Sequence, residues 1–451
     1  MSTKNHYFTL GRITMVCGAA LAGIWGLTPI MASAAGRPMA TIEASVSSAG
    51  VVSDGGAQTD SPRAISENGR YVVFASSSSN LVPGDTNEVA DIFLHDQLSG
   101  TTTRVNVASN GAEAIGGGSA HASISADGRF VAFESYAPNL VANDTNGVSD
   151  VFVHDRLTGR TTRASVNTNG EQADAISAAE TAPQFSADGR HVVFESFADN
   201  LVPNDTNGTS DAFMHDMLTG ATRRISVNSQ GAEANGLSMS PALSADGRYA
   251  AFISRATNLV PGDTNGAPDV FLRDMRTGSI SRVSVTSYGG QSNGESVGPT
   301  LSADGRYVAF EFWGSNLSAN DTNNAPDIFV RDTKTRTTTL VSRASDGTQG
   351  DNQSRYASIS GDGRLIAFQS MASNFDTGDT NGDFDVFVKN LRTGVLTREN
   401  VTPQGTHSSA AGFQPSISQD GNYVAFNGGD DLVASGDSNN FFDVFVRKQT
   451  L

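Results

Sequence analysis

The chain repeats one short pattern of apolar and polar positions seven times. ISENGRYVVF (65–74) returns as ISADGRFVAF (124–133), FSADGRHVVF (185–194), LSADGRYAAF (243–252), LSADGRYVAF (301–310), ISGDGRLIAF (359–368) and ISQDGNYVAF (417–426). The turn glycines Gly69, Gly128, Gly189, Gly247, Gly305, Gly363 and Gly421 are spaced by 59, 61, 58, 58, 58 and 58 residues. Val131 and Phe133 alternate with their neighbours, as do Val151 and Val153, which is the period of a strand with a buried face. Each unit predicts four strands. In the second they are HASIS (121–125), FVAFES (130–135), DVFVHD (150–155) and TTRASV (161–166). An Asp-Gly turn joins the first two, and DRLTG (155–159) joins the last two, with Gly159 free to adopt positive φ. Four short strands per repeat, with turn signals and no helical period, mark a propeller blade whose faces are buried by stacking on its neighbours.

The two ends complete one another. The seventh unit stops after its third strand, DVFVRK (443–448), while TIEASV (41–46) before the first unit aligns with the absent fourth type, TTRASV. The fold expected is therefore all-β: a seven-bladed β-propeller of four-stranded antiparallel blades, closed as a ring by the N-terminal strand. An open solenoid would leave both sheet edges bare.

The pattern SADGRYVAF followed by DVFVxDxxTG resembles the WD40-like repeats of TolB-type propeller proteins, over essentially all of residues 41–451. That resemblance implies the propeller's blade architecture; in TolB-type proteins the propeller makes protein–protein contacts in the cell envelope, a role that the departures of this chain argue against carrying over. The chain departs from the family in having seven repeats instead of six and no N-terminal α/β domain ahead of the propeller.

Residues 1–35 read as a secretory signal peptide, leaving 36–451 as the propeller domain. Lys4 and Arg12 precede an apolar run over residues 13–32, and Ala32, Ser33 and Ala34 offer a cleavage site. Cleavage removes the lone cysteine, Cys17, so neither disulfides nor a thiol nucleophile are expected. It also shifts the formal charge from -17 to -19. Such acidity disfavours nucleic acid. The mature chain is expected in the periplasm or secreted, with no transmembrane segment and as a monomer. Its partner is expected to be an envelope or extracellular protein, a glycan or a small ligand.

An acidic loop stands between the second and third strands of every unit. Its oxygen donors are Asp85, Asn87 and Asp91; Asp144, Asn146 and Asp150; Asp205, Asn207 and Asp211; Asp263, Asn265 and Asp269; Asp321, Asn323 and Asp327; Asp379, Asn381 and Asp385; and Asp437, Asn439 and Asp443. Hard oxygens at positions 1, 3 and 7 suit Ca2+, although the bidentate Glu of an EF-hand at position 12 is missing. The competing reading is an Asx turn bonded to its own backbone.

Catalytic signals are sparse, and no catalytic residue is assigned. GESVG (294–298) matches G-x-S-x-G, but a strand follows Ser296 where a nucleophile elbow needs a helix. His95, His154 and His215 share a place that holds Arg273, Arg331, Lys389 and Arg447 in other units, which suggests a cation paired with the following Asp. The residue after the strand phenylalanine varies: Ala75, Glu134, Glu195, Ile253, Glu311, Gln369 and Asn427. Glu134, Glu195 and Glu311 are read as separated polar residues before they are read as a meeting acid–base set. The expectation is a binding scaffold, not an enzyme; the alternative is a lactonase- or lyase-like enzyme with a channel metal. Several polar groups from different blades converging on one place would favour the enzyme.

Overall fold

Seven four-stranded sheets form in the computed structural model, which describes residues 41–178, 181–433 and 439–449. Blade two shows the plan: Ser119–Ile124, Phe130–Ser135, Asp150–Asp155 and Arg160–Arg163, each antiparallel to the next. The first strands touch one another from blade to blade, and the fourth strands form the outer edges. In blade seven Phe413–Ile417, Tyr423–Gly428 and Asp443–Lys448 are completed by Thr41–Glu43. Thr41 pairs with Arg447, Ile42 with Val446 and Glu43 with Phe445, so the N-terminal strand closes the ring as the sequence predicts. The expected signal peptide, residues 1–35, lies outside the described residues. No described helix is long and apolar enough to cross a membrane.

The alternating pattern works here because both faces of each sheet are covered. Seven apolar clusters fill the blade junctions. One joins Val72 and Phe74 of blade one to Ala425, Val444 and Val446 of blade seven, across the closure. Within blades, phenylalanines of the second and third strands stack, as Phe133 does on Phe152 at 6.0 Å between ring centroids. Each such fully buried side chain contributes about 1.5–3 kcal/mol.

The Asp-Gly turn does more than reverse the chain. Gly128 sits at φ 74°, directly beneath the ring of Tyr71 from blade one, leaving no room for a Cβ. Gly189 meets Phe130 in the same way, and Gly305 meets Tyr249. The turn arginine then caps the aromatic ring of its own strand: the Arg70 guanidinium lies 4.7 Å from the Tyr71 centroid and bonds Asp96 through Nε and Nη2. Backbone bonds pass between these turns, including Ala245 to Ala303, Ala303 to Gly361, Gly361 to Gln419 and, across the closure, Asp420 to Glu67.

Replacing Gly128 with Ala forces a side chain into positive φ and into the Tyr71 ring. We expect thermal unfolding of Gly128→Ala to show a loss of about 1–3 kcal/mol. Gly159→Ala, whose φ is also positive but whose surroundings are open, should lose less.

Candidate functional site

The last aspartate of each acidic loop opens the third strand, and all seven are buried to within about one per cent of exposure. Burying a carboxylate is costly unless donors and a cation meet it. In blade two Asp150 accepts from Ser165 Oγ at 2.5 Å, Asn146 Nδ2 at 2.9 Å and Arg163 Nη1 at 2.8 Å. Arg163 also lies 3.3 Å from Asp144, the first loop aspartate. Arg104, Arg224, Arg282 and Arg398 repeat this in blades one, three, four and six. The register places each opposite the third-strand phenylalanine, the position filled by Leu340 in blade five and Glu43 in blade seven.

The oxygens that the sequence offers to Ca2+ are thus engaged with guanidinium groups in five blades: Asp85 and Asp91, Asp144 and Asp150, Asp205 and Asp211, Asp263 and Asp269, Asp379 and Asp385. The loop asparagines are turn braces. Asn87, Asn146, Asn207, Asn265, Asn381 and Asn439 donate through Nδ2 to the third-strand carboxylate. Asn323 instead donates to the Gly350 carbonyl. Most accept through Oδ1 from the amide two residues on, as Asn323 does from Ala325. Asp443 accepts from Ser45 and Ser53, both at 2.7 Å; Asp437 lies outside the described residues.

One described group of acids has the compactness of a metal site: Asp205, Asp211 and Glu233 each place an oxygen within 4.8 Å of the others. Arg224 is already among them, ion-paired to all three. Burial, opposed by the charge of Arg224, pushes the Asp205 carboxyl up to about 7. As arranged, these residues hold a guanidinium, and a metal ion would have to displace it.

A second constellation sits near the inner strands. The first strand of blade two shifts register between Ala120 and Ser123, which throws His121 to φ 53°. Ser240, Gly298, Tyr356 and Gln414 take positive φ at the same place in blades four to seven. The bulged amide donates to a side chain of the preceding blade: His121 to Asp60 Oδ2 at 2.8 Å, Ser240 to Glu195 Oε2 and Tyr356 to Glu311 Oε1 at 2.7 Å, and Gln414 to Gln369 Oε1 at 2.8 Å. The varied residue after the strand phenylalanine is therefore mostly a clasp between blades.

Blade two departs from that rule. Glu134 Oε2 bonds His121 Nδ1 at 2.6 Å, and the imidazole stays partly exposed. Burial works against the imidazolium, but Glu134 and the charges of Asp60 and Glu195 outweigh it and raise its pKa. Burial raises the Asp60 carboxyl, offset in part by His121. Ionisable groups from three consecutive blades thus share one field. Glu134 bonds His121 there, while Glu195 clasps the Ser240 amide of blade four and acts on His121 only through its charge, and Glu311 clasps blade six. Deeper in the ring, Arg63 of blade one reaches the Leu301 carbonyl of blade five at 2.9 Å.

The remaining sequence candidates resolve differently. His95, His154 and His215 are buried, each bonded through Nδ1 to a fourth-strand threonine at 2.9 Å, and burial lowers their pKa. They are not the cations of the following aspartates, a role taken by Arg70, Arg129 and Arg190. Ser296 is fully buried at the start of a first strand. His121 went unread because its chemistry depends on a bulge; the visible signal was a residue, four before the strand serine, that changes from unit to unit.

No family model matches the chain, and no curated protein matches it. Among solved structures, an oligogalacturonate lyase in complex with manganese superposes with a TM-score of 0.54 at 13% identity, covering 92% of this chain and 97% of that one. The β-propeller domain of the Trilobed protease from Pyrococcus furiosus gives 0.52 at 14%, over 88% and 95%. TolB from Acinetobacter baumannii gives 0.40 at 15%, over 68% and 59%. Since a lyase, a prolyl endopeptidase and a protease domain share the propeller fold, the resemblance is not specific to TolB-type repeats. The expectation of a non-enzymatic scaffold is corrected as well: the fold is shared with an oligogalacturonate lyase in complex with manganese, and the described residues include a compact carboxylate triad, here occupied by Arg224. What is shown is a seven-bladed β-propeller distantly related in fold to several propeller families, enzymes among them.

Proposed function

We propose that the chain is an exported acid–base enzyme, a lyase or hydrolase, acting on a saccharide held over the loop-bearing face of the propeller. The observation that carries this reading is the convergence of His121 and Glu134 of blade two with Asp60 of blade one, in a field to which the charge of Glu195 adds. Glu134 engages Nδ1 and favours the imidazolium, leaving Nε2 to deliver a proton to a departing glycosidic or lactone oxygen.

Substrate class follows from the surroundings. Tyr136, Phe197 and Trp313 directly follow the second strands of blades two, three and five, at the end where His121 and the acidic loops stand. All three are exposed, as is Tyr356 at the bulge of blade six. Open aromatic faces beside carboxylates match a ligand with apolar ring faces and many hydroxyls. Arg355, stacked 4.4 Å from the Trp313 ring centroid, adds a cation suited to an acidic sugar. Oligogalacturonate lyases share the fold, so oligogalacturonate is the first substrate to try and sugar lactones the second. Export follows from the reading of residues 1–35.

The test is turnover of these substrates, followed by product absorbance and chromatography. His121→Gln should lower the rate at least about a hundredfold. With His121 as the acid, activity persists at low pH and falls as pH rises through its raised pKa, above 6.5. Glu134→Gln removes support for the imidazolium and should move that alkaline limb to lower pH. No turnover across the panel, or full activity in His121→Gln, overturns the reading.

A further inference from the structure

Five blades place an arginine between their two loop aspartates, and blades five and seven do not; in blade seven Asp443 is met by Ser45 and Ser53. The fourth strand of blade five, Thr337–Leu340, ends in a leucine buried with Phe310, Phe312 and Phe329. The carboxylates are nevertheless retained. Asp327 is fully buried and Asp321 is 6% exposed, and no ion pair reaches either among the described residues. Gln349 bridges them, its Nε2 lying 3.1 Å from Asp321 Oδ1 and 2.8 Å from Asp327 Oδ2. A neutral amide cannot replace a guanidinium. Asp321 Oδ2 is buried with no hydrogen-bond partner.

Two independent observations say what belongs there. Arg104, Arg163, Arg224, Arg282 and Arg398 show that the same frame, elsewhere in this chain, is built to hold a cation. Blade five also has a cleft of about 420 Å³ beside the loop, lined by Asn320, Thr322, Asn323, Arg343, Thr348 and Gln349. The cleft opens onto Gln349, the side chain that bonds both acids. We propose that blade five binds a divalent cation of the calcium class through Asp321 and Asp327, in the place where its sister blades carry arginine.

Two carboxylates and a turned Gln349 amide supply hard oxygens, and waters in the cleft complete a coordination shell of the size calcium takes. This site stands apart from the His121 cluster and does not depend on its chemistry.

Calorimetric titration of the chelator-treated chain with calcium chloride is the test. Saturable uptake is expected, with a rise in melting temperature. Leu340→Arg supplies the sister-blade guanidinium; it should weaken calcium binding at least about tenfold while the protein still melts cooperatively. Asp327→Asn, which keeps the side-chain shape, should weaken binding similarly and serves if Leu340→Arg does not fold. No saturable calcium uptake by the unaltered chain overturns the proposal. So does calcium binding that these substitutions leave unchanged, which would place the ion elsewhere.

Discussion

A carboxylate buried at the head of every third strand is the constraint on which the rest of this propeller depends. Asp91, Asp150, Asp211, Asp269, Asp327, Asp385 and Asp443 are all withdrawn from water, a cost that only local donors and positive charge can offset. The donors come from the fourth strand and its continuation: Asn106, Ser165, Ser226, Ser284, Ser342, Asn400 and Ser45 each bond the carboxylate of their own blade. The outer strand, the third strand and the acidic loop are thereby tied at one point. In blade seven the donor is Ser45, so the same bond that satisfies the buried acid also anchors the N-terminal strand closing the ring.

With that end of each blade fixed by polar bonds, the other end is fixed by shape. Turn glycines lie beneath aromatic rings of the preceding blade, and the rings are capped by arginines that reach back to the third strand. Five junctions set the glycine under a Tyr or Phe ring, four of them with the arginine cap, while His191 and Leu365 take the place of the ring at the other two. Together they give a frame in which single positions can change without moving the backbone. The bulge on the first strand is where that freedom is used: its amide is clasped by a neighbouring blade, while its side chain differs in each repeat. At blade two it is a histidine in a field of carboxylates. Function on this scaffold is a matter of substitution at repeated places, not of added structure.

Blade count, strand order and closure by residues 41–46 could be read from the sequence because each rests on local periodicity and turn chemistry. The acidic loops were visible too, but the cation they suggested was Ca2+, and the arginine that occupies five of them was not legible. Arg163 lies 13 residues beyond Asp150, on another strand, and only pairing of Phe152 with Arg163 brings it back. The series Arg104, Arg163, Arg224, Arg282, Leu340, Arg398 and Glu43 was nonetheless in the repeat alignment. The His121 cluster was less accessible. It needs a register shift at Ala120–Ser123, a positive φ, and Asp60 from the previous blade, none of which leaves a periodic trace. His95, His154 and His215 were misread because substitution by arginine and lysine suggested charge, where the shared property is a donor at the base of the fourth strand.

The most direct measurement is a crystal structure grown with manganese, read by anomalous scattering. The account predicts one peak beside Asp321 and Asp327 of blade five, and Arg224 still seated among Asp205, Asp211 and Glu233. A peak at that triad with Arg224 displaced, and none in blade five, would contradict the claim that arginine stands in for a cation around this ring.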